Sequence, residues 1–494
     1  MPAPRVHPQI IQGGMGVAVS GWRLARTVAG TGQLGVVSGT ALDVVLARRL
    51  QLGDPGGHIR RALAAFPVPE VAAYALDRYF VDGGVAPGAR LRATARLRVD
   101  RGEAAELLTV LGNFVEVWLA KEGHDGLVGV NYLEKIQLAT APAMFGAILA
   151  GVDYVLVGAG IPGQIPALAS KLARAESVTT LVTVDGDEEP LAHTFDPLSG
   201  ALRQLRPKRL ALRRPDVLAI VSLPVLASYL MRDASTRPDG FVIETHRAGG
   251  HSAPPRGKPA LDGAGEPVYG PKDRPDLAKM AALGMPFWLA GEAAHPQRLA
   301  EARRLGAAGV QLGSVFALCE ESGLRADLRT ELRARARAGT LRVRNDLQAS
   351  PTAFPFKVAE LPGTLSDTAV RAARRPVCDI GHLGTPARAA NGALVHRCAA
   401  EPIAAYLRKG GRAVDTAGRQ CLCNGLFATV GLGQRRPGGT VEPPIVTLGQ
   451  DLEFLEDLSP DGGPYSAARV VDWMLAGTPT PQRTSGLRRV GPRA

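Results

Sequence analysis

The sequence predicts an α/β fold: a TIM-type (β/α)8 barrel with an inserted helical subdomain and a C-terminal extension. Three observations carry the prediction. Short β-rich runs are each followed by a helical run, eight times before about residue 335, and repeated βα units build a parallel sheet. The β-rich runs are continuously apolar rather than alternating, as parallel strands covered on both faces must be. Clusters of glycine, some with histidine or serine, stand just after several of these runs, at the end where such barrels gather functional groups.

The units run in order. Residues 9–13 precede a helix at 21–29, 34–39 precede 42–50, 127–131 precede 142–150, and 153–158 precede 165–173. Residues 217–222 precede 225–231, 241–244 precede 277–283, 287–290 precede 296–305, and 310–313 precede a helical stretch around 316–321. Three insertions interrupt residues 1–335. Residues 52–125 hold Pro/Gly-rich stretches and an amphipathic helix near 103–119. Residues 176–214 read as a β-hairpin with 178–184 as one arm, and 250–275 as a Gly/Pro loop after the sixth strand. After residue 336 the alternation stops, Pro and Gly rise, and four of the five cysteines appear. Residues 336–494 therefore read as a Cys-containing extension packed on the barrel, expected to shape the barrel mouth or a subunit contact. It ends in a tail from Thr478 that carries Arg483, Arg488, Arg489 and Arg493 and is expected to be mobile.

Composition excludes several classes. Of 494 residues, 46% are hydrophobic and 21% charged, ordinary values for a globular chain. No window approaches the roughly 18 apolar residues of a membrane span, and the start lacks a signal-peptide pattern. The expected compartment is the cytoplasm. The net charge of +12 comes from scattered arginines such as Arg23, Arg26, Arg333, Arg335 and Arg337, and aromatics are only 5%. That is too few for a base-stacking surface, so nucleic acid is not expected; a field attractive to small anions is the better use of the charge. Five cysteines do not make a disulfide scaffold.

Gly158-Ala159-Gly160-Ile161-Pro162-Gly163 matches the G-x-G-x-x-G pattern after a strand, with Asp185 ending the next β-like run. Pro162 removes a backbone donor where a pyrophosphate would need one. The match also falls midway through the βα series, so a barrel loop is preferred to a separate Rossmann domain. Gln12-Gly13-Gly14-Met15-Gly16 lets backbone approach a ligand closely. Thr245-His246-Arg247-Ala248-Gly249-Gly250-His251 puts a histidine after two glycines, where acid–base chemistry is expected in a barrel; no glycines open space around His246. Gly291-Glu292 and Gln311-Leu312-Gly313-Ser314 close strands seven and eight, the usual site for a phosphate, with Ser314 and the end of the following helix as donors. Cys378, Cys398, Cys421 and Cys423, with His382 and His396 nearby, could hold zinc or an iron–sulfur cluster. Their spacing fits no common metal motif, so buried thiols without metal are expected. Cys319 reads as a core residue.

Gln9-Ile10-Ile11-Gln12-Gly13-Gly14-Met15-Gly16, Val130-Asn131, Ala248-Gly249-Gly250-His251, residues 287–291 and Gly309-Val310-Gln311-Leu312-Gly313-Ser314 together resemble the nitronate monooxygenase (2-nitropropane dioxygenase-like) family. That family includes the flavin-dependent enoyl-ACP reductases. The resemblance covers roughly residues 5–330 in chain order. It implies an FMN-binding barrel. Gly13, Gly14 and Met15 would lie against the flavin and Asn131 would bond it. Gly291, Gly313 and Ser314 would hold the phosphate, with Glu292, Gln311, Gly249 and Gly250 also at the cofactor, and His251 would be the active-site histidine. Two positions depart from the family pattern: Glu292 replaces a usual glycine, and Arg247 a usual acidic residue. The 52–125 insertion and the extension lie outside it; the extension resembles a longer bacterial branch of the same family name.

The function expected is that of an FMN-dependent oxidoreductase that oxidises an alkyl nitronate or related small anion with oxygen. The alternative is an NAD(P)H-dependent enoyl-thioester reductase, with Arg256 and Lys258 meeting acidic groups of an acyl carrier or nucleotide. A cofactor-free scaffold is disfavoured, because both phosphate loops keep their glycines. No membrane partner is expected; association with further copies of the chain is left open.

Overall fold

The computed structural model describes residues 7–99, 102–206, 210–258 and 260–476; the arginine-bearing tail lies outside them. Eight strands close into a barrel: β1 (Ile10–Gln12), β2 (Leu34–Ser38), β3 (Val128–Leu133), β4 (Tyr154–Gly158), β5 (Asp216–Val221), β6 (Gly240–Glu244), β7 (Phe287–Ala290) and β8 (Gly309–Leu312). Every neighbouring pair is parallel, and β1 on β8 closes the ring with Ile10, Ile11 and Gln12 opposite Val310, Gln311 and Leu312. Alternate side chains fill the interior. Ile11, Val36, Leu156, Leu218, Val242 and Trp288 form one buried cluster, and Trp288 Nε1 donates to the Pro8 carbonyl at 2.8 Å. The G-x-G-x-x-G match is the loop between β4 and its helix, Ile165–Leu172, so no separate dinucleotide-binding domain exists there.

The outer ring differs from the sequence reading at two places. The helix Leu42–Gln51 follows β2, but the slot between Trp22–Gly30 and Gln137–Leu149 is filled by Glu103–Lys121. That helix is not amphipathic, as expected, but buried on almost all sides. A Cβ at Gly146 would come within 2.1 Å of the Val110 carbonyl oxygen, so the two helices can touch only because Gly146 has no side chain. Leu42–Gln51 is displaced outward and packs on Glu103–Lys121. The second correction is at the eighth slot. The stretch after β8 holds only the four-residue helix Ser314–Ala317, followed by a separate helix, Ala326–Arg337. The helix Ala467–Ala476, from the far end of the described chain, packs against both Trp22–Gly30 and Pro296–Arg304. Its Val470, Val471 and Met474 join Leu24, Val28 and Leu299 in one core.

The predicted hairpin is present as Val178–Val182 paired with Leu191–Phe195. The extension adds two more antiparallel hairpins, Val343–Asp346 with Phe356–Ala359 and Thr385–Arg388 with Leu394–Arg397. Asp185, the acidic residue that follows the G-x-G-x-x-G match, pairs with Arg397, and Asp187 reaches Arg388 at 3.0 Å. No helix among the described residues is long and apolar enough to cross a membrane.

Candidate active site

A cavity of about 260 Å³ opens at the C-terminal ends of the barrel strands. All twelve site residues expected from the sequence line it: Gly13, Gly14, Met15 and Asn131; Gly249, Gly250 and His251; Gly291, Glu292, Gln311, Gly313 and Ser314. Its floor begins with the loop after β1. Buried Gln12 fixes that loop: its Nε2 donates to the Gly13 carbonyl at 2.6 Å and to Ser20 Oγ at 2.9 Å, and its Oε1 accepts from Val36 N–H. A Cβ on Gly14 would lie 2.4 Å from Asn131 Cβ, so glycine is required for this loop to lie on the end of β3. Gln311 Oε1 is buried beside it with no hydrogen-bond partner. An unmet acceptor of this kind is costly, and a bound ligand would satisfy it.

The end of the cavity where the sequence reading expects a phosphate is built by β6, β7 and β8. Gly291 has φ +89°, and a Cβ there would come within 2.3 Å of Thr245 Oγ1. Glu292 follows with φ +57°, a left-handed conformation that costs a non-glycine residue roughly 1–2 kcal/mol. Its carboxylate pairs with Arg247. The two departures from the family pattern thus neutralise each other. The helix after Gly313 has only four residues, so the expected contribution of a helix end shrinks to local donors. Ser314 Oγ accepts from Gly449 N–H at 2.7 Å, which leaves its own hydrogen free to donate.

His251 sits beneath the extension. It bridges to Phe356 in an antiparallel contact, its Nε2 is 2.7 Å from Ser350 Oγ, and its ring meets Phe356 edge-on at 4.9 Å. Burial, with help from the nearby Lys135 ammonium, pushes its pKa down to about 3. It is therefore a neutral imidazole at ordinary pH. His246 stacks on Tyr269 at 3.8 Å and does not line the cavity. Arg256 and Lys258 are exposed in the loop beyond, away from the cavity.

Three features were not read from the sequence at the level of residues. The first is the roof: Phe356, Ile380, Leu383, Leu422, Leu426 and Phe427 from the extension cover the mouth, and Thr447 Oγ1 accepts from Gly250 N–H at 2.8 Å. The expectation that the extension shapes the barrel mouth or a subunit contact names none of these side chains. The second is Glu244, which ends β6 and lines the cavity; burial raises its carboxyl to about 7. A carboxylate closing the apolar run Phe241-Val242-Ile243 was the available signal. The third is His382, in the roof, whose Nε2 lies 3.2 Å from Asp43 Oδ1. The four clustered cysteines also adjoin this roof, and Cys423 lines the cavity. Burial first, and then their mutual proximity, raises Cys398 to about 12 and Cys423 well above its usual value. Cys319 is buried in the core beside Phe316, as expected.

No protein-family model and no curated protein matches the chain. Among solved structures it is similar to FabK from Thermotoga maritima, at 15% identity over 96% of this chain and 93% of that one, with a TM-score of 0.46. Nitroalkane oxidase from Streptomyces ansochromogenes gives 15% identity, 95% coverage of both chains and a TM-score of 0.46. The enoyl reductase domain of MlnA from Bacillus amyloliquefaciens gives 14%, 72% of this chain, 64% of that one and 0.35. At these values the fold rests on the chain's own strand pairing, not on the likeness.

Proposed function

We propose that the chain is an FMN-dependent oxidoreductase acting on a small molecule. The observation that supports this best is the convergence of Gly13-Gly14, Asn131, Gln311 and the Gly291 and Gly313-Ser314 loops on one cavity. Its glycines let the loops after the first and seventh strands pack against Asn131, Gln311 and Thr245 around the cavity, and Gln311 Oε1 is an acceptor awaiting a donor. The residues present fit a flavin. Gly13, Gly14, Met15, Asn131 and Gln311 would hold the ring system, and Gly291, Gly313 and Ser314 the single terminal phosphate of FMN. Bound there, the flavin would supply the two-electron chemistry. The protein's part is to orient the substrate and exclude water, which the apolar roof does.

The first substrate reading is an alkyl nitronate oxidised with oxygen. A substrate already ionised needs no base, which suits a His251 that stays neutral and hydrogen-bonds rather than titrates. The second reading, reduction of an enoyl thioester with NAD(P)H, is favoured by one observation: His382 is held by a carboxylate in the roof, and a reduction consumes a proton with each hydride.

The test is the spectrum of the purified protein without oxygen, first alone, then with NADH or NADPH, then with a nitronate. FMN identified by mass spectrometry after heat release is the expected cofactor; FAD or no flavin would overturn the proposal. Bleaching only by nitronate selects the first substrate reading, and bleaching by a reduced nicotinamide selects the second.

A further inference from the structure

Two histidines line the cavity, and their partners make them different reagents. His251 belongs to the barrel, and its Nε2 meets a hydroxyl, Ser350 Oγ. His382 belongs to the extension, and its Nε2 meets a carboxylate, Asp43 Oδ1, at 3.2 Å. Asp43 is itself buried in the first turn of Leu42–Gln51. A carboxylate on one ring nitrogen fixes the ring and stabilises its protonated form. Nδ1 of His382 has no hydrogen-bond partner among the described residues, and the ring lines the cavity.

We propose that His382, oriented by Asp43, is the catalytic acid of this site, and that Nδ1 delivers a proton to the α-carbon of an α,β-unsaturated thioester or carbonyl substrate. The proposal rests on the flavin-dependent reading and selects the reductive reaction within it. The substrate's β-carbon gains a hydride equivalent whose source is NAD(P)H. The C=C π bond breaks, and its electron pair forms the new C–H bond at the α-carbon with the proton from Nδ1. The imidazolium becomes neutral imidazole, and solvent returns the proton.

The surroundings agree on which histidine carries charge. Burial alone would lower His382, but attraction to Asp43 and the hydrogen bond that Nε2–H donates to its carboxylate outweigh it and raise the group above its ordinary value; Arg96, from the insertion, opposes weakly. Arg48, on the helix that carries Asp43, is the other cation near that carboxylate. The other titratable groups of the cavity do not compete for the role: the buried Tyr132 hydroxyl donates to Asn113 Oδ1 at 3.1 Å. Cys423 is held as a thiol, Asp451 accepts from Glu453 N–H, Arg247 is paired with Glu292, and Glu244 lies on the floor with the residues assigned to the cofactor. His251 is neutral.

The experiment uses the full flavin-loaded chain, reduced without oxygen and mixed with crotonyl-coenzyme A across a pH series. The rate of flavin reoxidation should fall as pH rises through the raised His382 value. His382→Asn and His382→Gln should keep the bound-flavin spectrum, react roughly 10²–10⁴-fold more slowly, and lose that high-pH limb. Asp43→Asn should lower the His382 titration midpoint seen by NMR and move the limb with it, whereas His251→Ala should retain the limb. A His382 variant with wild-type rate and limb, or a midpoint unmoved by Asp43→Asn, would overturn the proposal. So would bound flavin that reacts with nitronate and not with the enoyl thioester, and in that case the flavin reading survives. Absence of flavin from the wild-type protein is seen before mixing; it fails the cofactor reading and this proposal with it.

Discussion

The barrel and the extension are held together by different physics. Each barrel strand is an apolar run whose partners are its sequence neighbours in the sheet, and burial of Val36, Leu156, Val242 and Trp288 needs no specific counter-charge. The extension has short elements and a buried ionic network. Arg374 reaches Glu442 at 2.7 Å, Arg436 reaches Asp379 at 2.7 Å and also pairs with Glu442, and Asn424 donates to Asp379 at 2.8 Å. Such pairs stabilise only when complete, since removing one partner leaves a buried charge alone. Yet the two regions are not independent, because the extension supplies the eighth ring helix and the roof of the cavity. A region with little local pattern can thus finish both the core and the site of a region with a strong one.

The largest effect that would test this dependence is truncation. A chain ending at residue 335 lacks Phe454, Tyr465, Val470, Val471 and Met474, all buried against the barrel. Each such side chain contributes about 1.5–3 kcal/mol, together comparable with the whole stability of a domain. The truncated chain is expected to be insoluble or to lack a cooperative melting transition. A soluble barrel with the full-length Tm would break the comparison.

Next in size is Gly14→Ala, which tests whether the barrel alone shapes the floor. The added methyl would overlap Asn131 Cβ, and overpacking of this kind costs about 1–3 kcal/mol. Flavin retention should fall tenfold to more than a hundredfold with little change in far-UV circular dichroism. Full retention would mean that the ring does not rest on this loop.

Glu244 sharpens the contrast between an unpaired barrel carboxyl and the paired ones of the extension. Its folded value is about 7, against the ordinary 4.5. Between those values the folded chain keeps a proton that the unfolded chain has released. Stability therefore falls as pH rises through that window, and the penalty is complete above about pH 7. Two to three pK units correspond to on the order of 3 kcal/mol. Flavin-free Glu244→Gln should melt higher than wild type at pH 8 and equally at pH 4.5; equal melting at both would show that Glu244 ionises freely. A smaller change is expected from Ser314→Ala. Loss of one hydrogen bond to a charged group costs about 1.5–3 kcal/mol, of which the partner Gly449 N–H would recover part through water. FMN affinity should fall about tenfold, and unchanged retention would place the phosphate elsewhere.

What could be read in the sequence follows the same division. Apolar runs and the glycines after them are local, so the barrel strands and the cavity-lining loops were legible from residues close together in the chain. Ring slots two and eight were misassigned because a slot accepts any helix with an apolar face. Hydrophobic residues on every side of 107–120, broken only by Thr109, Gly112, Asn113 and Glu116, mark a core helix, but nothing near Ala467–Ala476 tells that it meets Trp22–Gly30. In the sequence His382 stands out only as a neighbour of cysteines. Its meaning depends on Asp43, at the other end of the chain, and on burial that no window of sequence reports.

The smallest expected effect concerns those cysteines, and it decides how the extension is held. If a metal tied Cys378, Cys398, Cys421 and Cys423 together, the extension would resemble a small metal-stabilised domain, whose folding energy comes from the ion. Its ionic network and its packing of Phe427, Ile445 and Leu422 supply another source. Burial, and then the neighbouring cysteines, raise Cys378 to about 11 and Cys398 to about 12, so both are thiols in the metal-free chain. Among the described residues no three metal-binding side chains are arranged around one ion. Incubation with a chelator should therefore leave the Tm unchanged, and denatured protein should titrate five free thiols. About one zinc or several irons per chain by elemental analysis, with a lower Tm after chelation, would show that the extension is held by a metal centre rather than by its charges.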